Sequence, residues 1–157
     1  MKTQPNHLEL KLPPAALAAA AAALMWSAAS AAPAFDFTCP SNFVLFASLE
    51  LVGLLICLAG VLSFRRAKTT VNPMKPDSTS SLVVSGIYGY TRNPMYLGFL
   101  LILAGWSAFL SNVLSLAMLP AFVHWMNRFQ ISPEERALDS LFREDYPQYR
   151  ARVRRWI

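Results

Sequence analysis

The chain has 157 residues, of which 55% are hydrophobic, and carries a formal charge of +5; its mean hydropathy is +0.36. One domain fits that length, and the apolar content exceeds that of an ordinary soluble domain of this size. The basic residues flank apolar stretches and form no separate polar domain, which argues against a nucleic-acid partner. Two cysteines exclude a disulfide framework, and no Cys/His spacing reads as a metal site.

In chain order, residues 1–12 form a polar tail, and Pro13-Pro14 can open a helix because proline is tolerated in a first turn. Four apolar stretches follow, over 15–32, 43–64, 95–111 and 113–129. They predict an all-α integral membrane protein with about four transmembrane helices, a C-terminal helical hairpin and a cytoplasmic interfacial helix. A span needs about 20 apolar residues. The second stretch meets that outright; the last two are short and meet at Ser111-Asn112, which reads as a tight hairpin turn. The first stretch is alanine-rich and follows Lys2 and Lys11, so a retained span and a cleaved signal peptide are both open, the span being favoured.

Lys and Arg fall in three places only: Lys2 and Lys11, Arg65 through Arg92, and Arg128 through Arg155. None lies in 33–42 or at Ser111-Asn112. The positive-inside rule then puts both termini and the 65–94 connection in the cytoplasm, with a bacterial inner membrane as the expected location. Within that connection, 69–81 is rich in Thr, Ser, Pro and Asp and reads as a loop. After it, Gly86 and Gly89 permit positive φ or close backbone approach, and Tyr88, Tyr90 and Tyr96 offer aromatic faces for a nucleobase or cation. Arg92-Asn93 stand just before Pro94, which begins the third apolar helix. The unpaired N–H groups of such a helix start seat an anion. The alternative is an interfacial cap in which Arg92 reaches headgroups.

Beyond the fourth stretch, Ser132-Pro133-Glu134-Glu135 reads as a helix start with Ser132 as N-cap and acids in the first turn. The paired carboxylates either cap that helix or meet a ligand; adjacent helical residues point about 100° apart, so one ligand does not easily take both. Pro147 is expected to break this helix. Tyr146, Tyr149, Trp156 and the arginines from Arg150 to Arg155 suit an interfacial anchor. Glu50, inside the second stretch, is an intramembrane carboxylate and so a functional candidate. His124 and Arg128 are spaced i, i+4 and read as a headgroup pair; Trp106 and Trp125 read as packing or belt residues.

Taken in order, Gly86-x-Tyr88-x-x-x-Arg92-Asn93-Pro94-Met95-Tyr96-x-Gly98, the hairpin, Glu134-Glu135-Arg136-x-Leu138, and Tyr146-x-x-Tyr149 before Arg154-Arg155-Trp156 resemble the isoprenylcysteine carboxyl methyltransferase family, to which phospholipid methyltransferases are related. The resemblance covers 82–157. It implies a membrane enzyme using S-adenosylmethionine at the cytoplasmic face, with Leu82, Val83, Tyr88, Arg92, Asn93, Pro94, Tyr96 and Glu134 lining the cofactor site. Glu135 and Arg128 are the candidate catalytic residues, Arg128 being the nearest arginine upstream of the carboxylates, where Gln130 stands in about the place of the family's substrate-binding arginine. Asn93 replaces the family's usual histidine, and Arg143 its usual glycine. The acceptor is expected to be amphipathic or lipid-like, entering from the bilayer, with no metal and no nucleic acid involved. An isoprenylcysteine-like carboxylate is one acceptor. A phospholipid amine or small thiol is the alternative, as is a non-catalytic binding or transport role.

Overall fold

A computed structural model describes residues 9–67 and 81–157. The expected loop over 69–81 lies almost wholly outside the described residues, as does the tail up to residue 8. The architecture is all-helical. Helix α1 (Pro14–Ala31) and helix α2 (Asn42–Arg66) are long and apolar enough to cross a membrane. Helices α3 (Pro94–Leu110) and α4 (Val113–Trp125) are shorter, and a polar C-terminal region follows, with α5 (Ser132–Leu141) and α6 (Asp145–Arg152).

The core lies where α1, α3 and α4 meet. Met25, Leu103, Met126 and Ile131 are fully or almost fully buried there, with Ala18, Tyr96 and Phe122 beside them. Trp106 packs into the same region and donates its indole N–H to the Ala22 carbonyl at 3.1 Å, tying α3 to α1. Helix α2 packs on the opposite side of α3 along glycines. A Cβ on Gly98 would strike the Cys57 sulfur and stand 2.7 Å from the Gly53 carbonyl oxygen. Only glycine permits that approach, because a small residue at a helix crossing lets the two backbones come close.

The turns follow local chemistry. Helix α3 ends on Ser111, left-handed at φ 48°, and Asn112 opens α4 by accepting the Leu114 N–H on its side-chain oxygen at 2.9 Å. The Asn112 amide nitrogen donates to Asp36 Oδ1 at 2.7 Å and to the Ala32 carbonyl at 3.1 Å. One buried asparagine therefore clips the α3–α4 turn to the α1–α2 connection.

Two expectations fail at the C-terminal end. Ser132 is not an N-cap: its backbone is helical (φ −62°, ψ −41°), and α4 continues through a π-helical turn, Met126–Ile131, directly into α5. Proline explains the altered winding. Pro133 has no N–H for the Phe129 carbonyl four residues back, and the Leu10 N–H takes that carbonyl at 3.2 Å. The Ser132 hydroxyl meanwhile donates to the Asn127 carbonyl at 2.7 Å. Nor does Pro147 break a helix. Helix α5 stops at Phe142, whose backbone is non-helical (φ −120°, ψ 60°), and Pro147 sits in the first turn of α6, where its missing N–H does no harm.

A candidate active site at the start of α3

The chain enters the site through Gly86, whose φ of +63° belongs to the left-handed region that glycine reaches without strain. Gly89 adopts no positive φ, so the freedom expected there is unused. The 3₁₀ turn Gly86–Gly89 buries Tyr88. Its ring meets Phe64 of α2 edge to face, and its carbonyl accepts the Tyr149 hydroxyl at 2.8 Å. Burial pushes the Tyr88 and Tyr149 phenols above their ordinary range, and Tyr146 is raised to about 12, also by burial first. These three are neutral packing groups. Tyr146 and Tyr149 are buried, at 1% and 4% exposure, rather than standing in a membrane belt.

The centre of the site is Glu135. Its Oε1 lies 3.1 Å from Arg92 Nη2 and accepts from Arg155 Nε, also at 3.1 Å. Its Oε2 accepts from Arg155 Nη2 at 2.5 Å. Arg155 thus grips both oxygens as a fork, while Arg92 touches one. Two of Arg92's nitrogens, Nε and Nη1, are buried without a hydrogen-bond partner. Leaving charged donors buried and unpaired is costly, and these two nitrogens are open to an acceptor.

Asn93 immediately precedes α3, but its side chain does not cap the helix. Its amide nitrogen donates instead to the Arg155 carbonyl at 2.9 Å, which also takes the Thr91 hydroxyl at 3.3 Å. The Arg92 N–H donates to the Arg154 carbonyl at 3.0 Å. Pro94 opens α3, and Tyr96 follows two residues on in the same first turn, where its hydroxyl donates to Glu134 Oε1. Burial raises the Glu134 carboxyl to about 8; the Tyr96 bond opposes that rise, and the charge of Glu135 adds to it.

Tyr88, Arg92, Asn93, Pro94 and Tyr96 are brought together with Glu134 and Glu135. Val83 is buried and Leu82 half-buried on the approach to the loop. Arg128 is not gathered in: it is exposed and has no ion pair with the described residues. Gln130 is buried and donates its amide to the Leu12 carbonyl at 2.8 Å, and its Oε1 has no partner. Reasoning from sequence missed Arg155, Asn127 and Trp156 as members of this cluster. Asn127 Oδ1 accepts from Trp156 Nε1 at 3.1 Å and from Arg155 Nη1 at 3.4 Å. The Arg154-Arg155-Trp156 run was visible, but nothing in it says whether it faces headgroups or folds back on the protein. Among the described residues no group of acidic, His and Cys side chains could hold a metal ion.

An all-helical chain with two candidate spans and a basic–acidic cluster at a helix start has the build of a small membrane protein, and comparison gives the class its name. The family model for phospholipid methyltransferase matches residues 42–145, and the chain belongs to that family. Among curated proteins it is similar to an uncharacterized protein of Haemophilus influenzae, 43% identical over 63 residues, which are 40% of this chain and all of that protein. It is also similar to protein-S-isoprenylcysteine O-methyltransferase of Schizosaccharomyces pombe, 41% identical over 80 residues, or 50% of this chain. That match spans 34% of the yeast enzyme's length. No solved structure matches.

Proposed function

We propose that the protein is a membrane-embedded methyltransferase that uses S-adenosylmethionine and methylates an amphipathic or apolar acceptor at the cytoplasmic face. Helices α1 to α4, with α4 extended by its π-helical turn, would cross the membrane, and residues 132–157 would lie on its cytoplasmic side. The observation that carries the reading is Arg92: two buried, unpartnered guanidinium donors beside the start of α3. They match the donor's carboxylate. Glu134, on the adjacent element, matches its ammonium or ribose hydroxyls, and the apolar walls of Val83, Tyr88 and Pro94 match its adenine.

When bound, S-adenosylmethionine supplies a methyl group activated by a sulfonium sulfur. The chain's own task is alignment and exclusion of water. Arg92 would fix one end of the donor, and Tyr96 would hold Glu134 in one rotamer. Glu135, held by two guanidinium groups, is poorly placed as a base and instead orients Arg92. Glu134 is the better candidate to take a proton where the acceptor is an amine or thiol, since burial raises its carboxyl to about 8, well above the ordinary carboxylate range. A carboxylate acceptor needs no base. Isoprenylcysteine-like carboxylates, phospholipid amines and small thiols all remain chemically suited to the site.

Isothermal titration of the detergent-purified protein with S-adenosylhomocysteine tests the reading. Saturable binding that is lost in Arg92→Ala and in Glu134→Ala is expected. Absence of binding by folded wild-type protein would remove the cofactor assignment.

A further inference from the structure

Residue 155 lies outside the segment that the family model covers, yet it connects more of the site than any residue inside it. Its side chain forks onto both oxygens of Glu135 and reaches Asn127 on the π-helical turn. Its carbonyl receives Asn93 and Thr91. The loop before α3, the π-helical turn and α5 are therefore joined through one residue.

We infer that Arg155 is a positioning residue for donor binding: by occupying both oxygens of Glu135, it keeps Arg92 from closing onto that carboxylate and so leaves Arg92 Nε and Nη1 for an anion. The charges decide this. One carboxylate between two guanidinium groups leaves a net positive charge at the site. Without Arg155, Glu135 would face Arg92 alone. The pair would then favour the bidentate geometry usual for arginine and carboxylate, in which Nη2 and one of the two free nitrogens hold Glu135, so no two donors would remain for a bidentate anion. The inference rests on the proposed donor site, and it concerns only the end that holds the carboxylate.

The test is titration of full-length wild type, Arg155→Ala and Arg155→Lys in detergent with two probes. S-adenosylhomocysteine carries the amino-acid carboxylate; 5′-methylthioadenosine shares the nucleoside and sulfur but lacks it. Arg155→Ala should weaken S-adenosylhomocysteine by about tenfold or more, on the scale of one lost charge-assisted hydrogen bond, and leave 5′-methylthioadenosine within about twofold. Lysine, which keeps the charge without the fork, should fall between. Adding Glu135→Gln to Arg155→Ala should restore part of the loss, because the competing carboxylate is gone. Equal losses for both probes would mean that Arg155 merely holds the fold together, and no loss for either would mean that Arg92 is free without it. Each of these overturns the inference while the donor site stands. Wild type that binds neither probe overturns both.

Discussion

Glu134 and Glu135 are neighbours in sequence and opposite in electrostatic circumstance. Glu135 has two guanidinium partners; Glu134 has a tyrosine hydroxyl and a carboxyl raised to about 8 by burial. A folded pKa above the ordinary value means that the folded state binds the proton more tightly than the unfolded chain does. The resulting stability is fully present below about pH 4.5 and is lost as pH rises through about 8. Thermal unfolding in detergent should accordingly move to lower temperature between pH 6 and 9, roughly the upper part of that window, and Glu134→Gln should flatten the slope. A slope that is unchanged in the variant would assign the titration to another group. The same group links binding to protons. A ligand ammonium favours the carboxylate form, so S-adenosylhomocysteine should displace a proton at pH 7 in wild type. Titrations in two buffers of different ionisation enthalpy would read that release, and Glu134→Gln should show none.

At the scale of helices, the α2–α3 seam is the most demanding contact. Gly98→Ala must displace the Gly53 backbone or Cys57, and overpacking of that kind costs about 1–3 kcal/mol. Gly89→Ala, with its nearest neighbour 4.0 Å from the new Cβ and no positive φ, should stay within about 0.5 kcal/mol. Thermal shift of the two variants compares a seam with open space; similar melting temperatures would show that the helices separate freely. The contrast bears on what a sequence discloses. Long apolar stretches, a proline at a helix start and the Arg92-Asn93-Pro94 motif carry their meaning in residue type, so the all-helical architecture and the family were legible. The π-helical turn was not. It arises because Pro133 orphans a carbonyl that a distant residue, Leu10, then satisfies, and a backbone donor leaves no signature in sequence. Arg155 was hidden for a related reason: Thr91 and Asn93 are held by its carbonyl, which any residue possesses.

For the whole molecule, orientation decides whether the proposed chemistry is possible, because the methyl donor is a solute of the cytoplasm. The cluster of Arg92, Glu134, Glu135 and Arg155 gathers the α3 start and the α5 region at one end of the bundle, while the clip between Asn112, Asp36 and Ala32 marks the other end. Lysine and arginine are absent from 33–42 and from Ser111-Asn112, so the clipped end should face away from the cytoplasm. Cys39 stands in the connection at that end and is half-buried rather than sealed. Cys57 lies in the α2–α3 seam, donating to the Met95 carbonyl at 3.5 Å. In a Cys57→Ala background, a membrane-impermeant maleimide should label Cys39 in spheroplasts and fail to do so in sealed inverted vesicles. The opposite pattern would place the arginine and glutamate cluster outside, where no donor is available, and would remove the methyltransferase reading however well the purified protein bound S-adenosylhomocysteine.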